Sequence, residues 1–458
     1  MRTLSALISA VALALALAAP ALAAPLSPQQ QHDIDASIAE WLAQTGAPSV
    51  SIAVVNGGET AYVKAYGKAR LVPAQAAAPA TRYAIDSVSK EFTAAAVLKL
   101  QEEGRLSLDD RVAKYFPEFA SADQVTIRQI LSHTAGYRDY WPQDYVTIEM
   151  GKPVTTGALL DEWARKPLDF APGSDWQYSN TGFVIAGAIV EKVTGKPLVD
   201  YLRTIIFDPL HMQGVMDADQ ARTDASAYTR WAGGPVREAQ KEGAGWLFAA
   251  GELAMAPSEL ARWDISLMAR SLLKPASYEA FYTPIKLNNG RDSHYSLGLR
   301  ITQEQGRRVV SHNGGGSGFL ASNRMWPDQK VAVIAFTNND WASPDGANAR
   351  VAFIVLPPTP EEARARQVFA AFREGAIDRR LFTENGNAYL SASVLADQMA
   401  GLAPLGPARL FELRGEQDRG GLKTRTWRIT TAKGVVLTAV ERGEPNGKLE
   451  QFMISRAD

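Results

Sequence analysis

Ser87-Val88-Ser89-Lys90-Glu91-Phe92-Thr93-Ala94-Ala95-Ala96-Val97-Leu98-Lys99-Leu100 is the stretch on which the reading of this chain turns. An S-x-x-K at the start of a helix puts a hydroxyl and an amine on one helical face, one turn apart, where they can form a nucleophile and its base. The residues that follow are strong helix formers with apolar side chains at helical spacing, and Gly104 supplies a stop. Ser87 is then expected in the first turn, where free backbone N–H groups and the positive dipole end favour a developing oxyanion. A capping role would account for Ser87 alone. Ser271-Leu272-Leu273-Lys274 repeats the spacing, with Pro275 directly after it as though closing a surface helix, so the motif needs support from elsewhere in the chain.

Two further segments supply it. Trp176-Gln177-Tyr178-Ser179-Asn180-Thr181-Gly182-Phe183 lies where a turn-rich run meets an apolar helix-like segment, Val184 to Val193. Later, the alternating segment 307–311 runs into His312-Asn313-Gly314-Gly315-Gly316, whose glycines let a second backbone approach or leave N–H groups facing a ligand. A Ser/Lys pair, a Tyr-x-Asn and a His-x-Gly in this order resemble the three active-site motifs of the serine β-lactamase and penicillin-binding-protein superfamily. The likeness is strongest to its branch of class C β-lactamases, D-alanyl-D-alanine carboxypeptidases and family VIII esterases. Leu131-Ser132-His133-Thr134-Ala135-Gly136 resembles the family's L-S-H-T-S-G segment, and 243–263 its segment ending D-L-A-R, so the likeness spans about residues 30–356.

The resemblance implies roles. Ser87 matches the acylated serine, and Lys90 the lysine that receives or assists its proton, which requires a pKa lowered towards neutrality. Tyr178 matches the proton shuttle between serine, leaving group and deacylating water. A phenol with an ordinary pKa of about 10 would have to be held partly anionic by a cation such as Lys90 to act as a base. Asn180 matches the asparagine that binds a substrate amide and orients the lysine. As residues alone, Tyr178 reads equally as a core aromatic and Asn180 as a helix cap. His312-Asn313-Gly314 stands where β-lactamases carry K-T-G. Histidine is mostly neutral at pH 7 and holds a carboxylate more weakly than lysine does, and Asn313 replaces a hydroxyl donor, so efficient antibiotic hydrolysis is disfavoured. Gly315 would pair its N–H with that of Ser87 as an oxyanion hole. His133 reads as structural, and Tyr140, Trp141 and Tyr145 either line the cleft or cover the core.

Residues 1–23 read as a secretory signal peptide: Met1-Arg2, an apolar run Leu4 to Ala19, and Ala21-Leu22-Ala23 at the cleavage site. Export to periplasm or medium follows, with no membrane anchor in the mature form. The chain has no cysteine, so neither a lipid attached at the cleavage site nor a disulfide is available. Its 458 residues, 46% hydrophobic and 21% charged, can bury a large core. With Arg2 gone, the remaining 47 of 48 Lys and Arg face 49 Asp and Glu, a formal charge of −2 that offers nothing to nucleic acid. The five histidines have no ligand spacing, so no metal and no cofactor are expected.

The expected fold is α+β. Residues 28–45 read as an amphipathic helix with Ile34, Ile38, Trp41 and Leu42 on one face; 49–55 and 60–66 as strands joined at Asn56-Gly57-Gly58; and 308–311, 318–325 and 330–338 as further strands. The middle, 89–269, reads as mostly helical. Strands from both ends around a helical middle predict an antiparallel sheet covered by helices, as in the family. Pro357-Pro358-Thr359-Pro360 predicts a linker, dividing a hydrolase unit at 24–356 from an accessory α+β unit at 361–458 of the cystatin-like kind. That unit reads as helices at 361–374 and 388–401 followed by four strands, without a catalytic constellation. The expected activity is that of an exported serine hydrolase working through an acyl-enzyme on an ester, peptide or β-lactam. The alternative is a catalytically silent protein that binds penicillin or peptidoglycan fragments.

Overall fold

A computed structural model describes residues 25–456; the expected signal segment lies outside the described residues. Seven antiparallel strands form the central sheet in the order Gln75–Ala76, Glu59–Arg70, Ser49–Asn56, Val331–Thr337, Phe319–Trp326, Arg307–Gly316 and Arg300–Glu304. Strands from the two ends of the chain meet at its centre, with Val50 opposite Thr337 and Val55 opposite Ala332. The first hairpin closes on Gly57 and Gly58, both at positive φ, as a two-residue turn that keeps the sheet's twist requires.

Alternation along the strands divides the core. Val50, Ile52, Val54, Val333 and Ala335 face one layer, where the Pro28–Thr45 helix sets Ile34, Ile38 and Trp41 against the Asp345–Val355 helix. Ala53, Val55, Ala332, Ile334 and Phe336 face the other, under Phe92, Trp263 and the helical middle. Burial on both faces explains why 331–336 is an unbroken apolar run rather than an alternating one.

The Ser89–Glu102 helix is enclosed nearly all round: every residue from Ser89 to Leu98 is buried, as is Leu100. It packs against Asn180–Thr194, itself buried from Thr181 to Val190. Fully burying a side chain such as Phe92 contributes about 2–3 kcal/mol, and replacing it by alanine would cost about 3–5 kcal/mol.

Several expectations need correction. The middle carries fewer helices than read: between Phe207 and Leu253 the described chain is mainly loop and two-residue strands, broken by the short Phe248–Gly251 helix. The edge strand Arg300–Glu304 was not foreseen. Pro275 opens the Pro275–Tyr282 helix instead of closing one, because its fixed φ suits the first helical position. The decoy Ser271–Lys274 therefore lies in a connection, with Lys274 exposed. The expected helix 388–401 is two, Glu384–Tyr389 and Ala392–Leu402, since Ser391 caps the second by accepting from the Val394 N–H.

The C-terminal region has a hydrophobic core of its own. Phe369 and Phe372 of the Pro360–Glu374 helix pack on Phe411, Trp427, Ile429 and Phe452 of a four-stranded antiparallel sheet in sequence order, Ala408–Arg419, Leu422–Thr431, Val436–Gly443 and Leu449–Arg456.

Candidate active site

Ser87 sits in a single 3₁₀ turn, Asp86–Val88, that runs directly into the Ser89–Glu102 helix. One turn on, Lys90 is 0% exposed. Its ammonium nitrogen donates to Ser87 Oγ at 2.9 Å, Asn180 Oδ1 at 2.8 Å and the Ala250 carbonyl at 2.7 Å. The three acceptors are uncharged, so burial lowers the amine to about 7, while the carboxylates of Asp139 and Asp86 limit the fall. At that value a substantial share of the lysine is a free base at neutral pH, and its lone pair then faces the Ser87 hydroxyl.

Tyr178 completes the group, its hydroxyl donating to Ser87 Oγ at 2.7 Å. Lys90 Nζ lies 5.0 Å from the centre of the Tyr178 ring. Desolvation pushes this phenol up, against the opposing effect of the Ser87 hydrogen bond, so it is a neutral donor in the free protein. This corrects the expectation of a partly anionic tyrosine; the group lowered towards neutrality is Lys90.

Asn180 is the first residue of its helix, and Ser179, not Asn180, is the cap, accepting from the Gly182 N–H. The Asn180 amide faces Lys90 with its oxygen and donates from Nδ2 to Asp139 Oδ1 at 3.2 Å; its backbone N–H also donates to Asp139 Oδ1, at 3.1 Å. Asp139, buried and found by no reading of the sequence, thus fixes which end of the amide meets the lysine. Its only local signal is its place six residues after His133.

His133 makes no hydrogen bond to the Ser87 group. Its Nδ1 accepts the Ser179 N–H at 3.1 Å, and its ring lies 4.3 Å from that of Tyr178 and 5.9 Å from that of Trp176. Burial, together with the Lys90 charge, holds it well below the ordinary imidazole range. It anchors the segment that carries Tyr178, as the structural reading expects. Tyr140 is buried and donates to the Trp246 carbonyl, Trp141 is half-buried, and Tyr145 is exposed.

The strand Arg307–Gly316 runs beside the Asp86–Val88 turn. A side chain at Gly314 would overlap the Ile85 carbonyl, and one at Gly316 would lie 2.6 Å from Asp86 Oδ1, so these two glycines permit the close approach. Gly315, on the opposite face of the pleat and exposed, meets only the flexible end of Leu320. Strand Arg300–Glu304 pairs with Arg307 to Ser311 only, which leaves the edge from His312 to Gly316 without a strand partner on that side among the described residues.

His312 is buried, with Nδ1 2.7 Å from the Asn313 carbonyl and Nε2 2.7 Å from the Tyr295 hydroxyl. A carbonyl only accepts, so Nδ1 carries the proton and Tyr295 donates to Nε2. Burial and the Lys90 charge depress His312 to about 3, making it neutral throughout the physiological range. Asn313 requires a correction: strand alternation turns its side chain to the opposite face, where Nδ2 donates to Asp345 Oδ2 at 2.8 Å, so the amide cannot replace a substrate-facing hydroxyl. Exposed Arg300 lies 5.8 Å from the Trp176 ring centre, and its charge also depresses His312. It was missed because its strand was missed.

One group of carboxylates among the described residues, Asp217, Asp219 and Glu252, has oxygens within 4.8 Å of one another, close enough to hold a metal ion. Burial and mutual repulsion raise Glu252 well above the usual carboxyl range and Asp219 to about 6, so a retained proton also accounts for their closeness.

Comparison with known proteins places these features in a context. A family model described as Beta-lactamase matches residues 34–356. Penicillin-binding protein 4* of Bacillus subtilis is 27% identical over 369 residues, covering 76% of this chain and 81% of that one. D-aminopeptidase of Brucella anthropi is 29% identical over 326 residues, 69% of this chain but 61% of the relative, so the chain spans less than two thirds of that protein. Among solved structures, a D-stereospecific amidohydrolase from Streptomyces sp. superposes with a TM-score of 0.61 at 25% identity, over 72% of this chain and 99% of that one. The octameric penicillin-binding protein homologue from Pyrococcus abyssi shares the fold with a TM-score of 0.65 at 20% identity, over 93% of this chain and 99% of its own.

Proposed function

The chain belongs to the serine β-lactamase and penicillin-binding-protein family, and from that membership we propose that it is an exported serine hydrolase that cleaves amides or esters through an acyl-enzyme on Ser87. The observation that carries this reading is Lys90, wholly buried, 2.9 Å from Ser87 Oγ and lowered to about 7. As Oγ bonds to the substrate carbonyl carbon, Lys90 takes the serine proton. The backbone N–H groups of Ser87 and Gly315 receive the oxyanion, at about 3 kcal/mol per donor in comparable sites. Neutral Tyr178 donates to the leaving nitrogen or oxygen, and the proton taken from Ser87 returns through the same hydrogen-bonded set. Water then attacks the acyl-enzyme by the reverse sequence of proton transfers.

The substrate class favoured is an amide or peptide of an amino acid, with ester hydrolysis as an accompanying activity. The D-aminopeptidase and D-stereospecific amidohydrolase among the similar proteins support it, as does a neutral His312, which offers a β-lactam carboxylate no cation. A silent binding protein is less well supported, because it has no need of a lysine lowered to neutrality. The division into a hydrolase unit at 24–356, a linker at 357–360 and an accessory unit at 361–458 belongs to the same proposal, as do a signal peptide at 1–23 and a periplasmic or secreted destination. The separate aromatic core of the C-terminal region supports the boundary.

Intact-mass measurement after brief exposure to a fluorophosphonate, a short-chain aryl ester and a penicillin tests the reading. One adduct per chain on Ser87, absent in Ser87→Ala, is expected with the first two reagents. A folded protein that forms no adduct with any of them overturns it.

A further inference from the structure

A cavity of about 410 Å³ opens beside the nucleophile turn, beginning at Asp86, one residue before Ser87, and at Ser317, one residue after Gly316. It therefore lies past the glycine end of the free strand edge, away from His312. Its polar wall holds three acids that the proposed mechanism does not use: Glu238, which is exposed, and Asp86 and Glu242, which are buried.

Asp86 is the more unusual. Its backbone stands at φ 43, in the left-handed region that non-glycine residues rarely occupy, although Asp and Asn tolerate it best. Its carboxyl is buried against Gly316, and Oδ2 has no hydrogen-bond partner among the described residues. The second acid, Glu242, is also buried, and accepts a hydrogen bond from the Ser317 hydroxyl. Burial raises Asp86 well above the usual carboxyl range, and repulsion by Glu242 adds to it, against the opposing charges of Lys90 and Lys241. The cations nearby are committed or peripheral: Lys90 to its three acceptors, Lys241 to the Ala218 carbonyl, Arg70 to the Asp224 carbonyl, and Arg222 exposed at the rim. A strained residue with an orphaned buried carboxyl, near enough to a second acid for the two to repel and bordering a cavity, is an arrangement that a ligand cation would relieve.

We propose that this cavity receives the amino-terminal residue of the substrate, with Asp86 and Glu242 as the site for its free α-ammonium group. The inference rests on Ser87 being the nucleophile of an amide hydrolase. In an α-amino amide the nitrogen is two bonds from the carbonyl carbon that Ser87 would attack, so a group recognised beside Ser87 must be close to that carbon. Three ammonium protons match the unpartnered Asp86 oxygen and the Glu242 carboxylate. Ala84, Ala225, Leu247 and Phe319 in the same wall suit an apolar side chain. An N-acylated substrate would lose the charge and bring a carbonyl oxygen towards two acids.

Calorimetric binding to full-length Ser87→Ala protein tests the pocket without turnover. The probes are phenylalaninamide in each enantiomer, its N-acetyl derivative, and the dipeptide Ala-Ala free and N-acetylated; the dipeptide arm tells a peptide terminus from an amino-acid amide. The free amine should bind about tenfold or more tightly than its acetylated partner with at least one scaffold, and Glu242→Gln should remove most of that preference. Asp86→Asn, which suits the same backbone conformation, should reduce it also. Equal binding of free and acetylated probes overturns the proposal, as does a preference that survives both substitutions in folded protein. Fluorophosphonate labelling of the protein with Ser87 intact reads the hydrolase assignment separately: labelling without amine preference sinks the pocket alone.

Discussion

Two of the completely buried ionisable side chains of this molecule, in two different regions, are treated in opposite ways. In the C-terminal sheet, Glu441 is 0% exposed and meets the Arg364 and Arg425 guanidiniums and the Trp427 indole N–H. Beside Ser87, Lys90 is equally buried, yet its contacts are a hydroxyl, an amide oxygen and a backbone carbonyl. Asp139 makes no hydrogen bond to it, bonding Asn180 instead and acting on the lysine through its charge. A buried charge held by opposite charges fixes structure. A buried amine held by neutral acceptors is ready to give up its proton, which is a chemical capacity obtained at a cost in stability.

Substitutions at the two positions should separate these behaviours. Lys90→Met should lower kcat/KM on an aryl ester by about 10³-fold or more, with Tm unchanged or raised, because it removes a base and an uncompensated charge together. A Lys90→Met protein that keeps wild-type turnover would break the comparison from one side. Gly314→Ala should come next, at about 10²-fold, since its Cβ would overlap the Ile85 carbonyl and displace the turn that carries Ser87. Gly315→Ala, which meets only the tip of Leu320, should cost markedly less, and kinetics of the pair would show whether backbone approach is what matters.

Glu441→Gln tests the other side. It leaves Arg364 without its carboxylate and Arg425 with Glu416 as its remaining close partner, and should destabilise the protein by about 3 kcal/mol in denaturant titration, with the rate of Ser87 labelling unaltered below the transition. The pH dependence sharpens the contrast further. Fluorophosphonate labelling should rise with pH through an inflection near 7, as Lys90 becomes a free base. For stability the sign is the same: between about 7 and 10.4 the unfolded lysine holds a proton that the folded one has lost, so the Lys90 contribution is present above that window and disappears as pH falls to 7. In Lys90→Met that slope should vanish. The smallest effect is expected at Asn313→Ala, within about twofold of wild-type turnover and about 1 kcal/mol less stable, since its amide bonds Asp345 on the far face of the sheet.

How much of this was readable in the chain follows from the range of the interactions. The Ser87–Lys90 pair, the Gly57-Gly58 hairpin, the strands near both ends and the break at Pro357 depend on spacing and backbone chemistry within a few residues, and these local features are visible in order along the sequence. The helix at 28–45 was legible for the same reason, its apolar residues recurring at helical spacing on one face. The helix break at Leu390 was not, because Ser391 competes as a cap against an otherwise continuous helical pattern.

The sequence by itself determined the Ser87–Lys90 pair at a helix start, the strand-rich ends, the order of the three motifs and the residue types each brings. The protonation states and the facing of side chains were decided only in the folded molecule. Lys90 is lowered because surfaces from residues 87, 180 and 250 close around it, and Tyr178 is raised by the same desolvation. Asp139 and Arg300 enter the site from segments with no motif, and Asn313 leaves it by one step of the pleat. Desolvation and charge act through space and depend on what packs against a group, which neighbours along the chain do not specify.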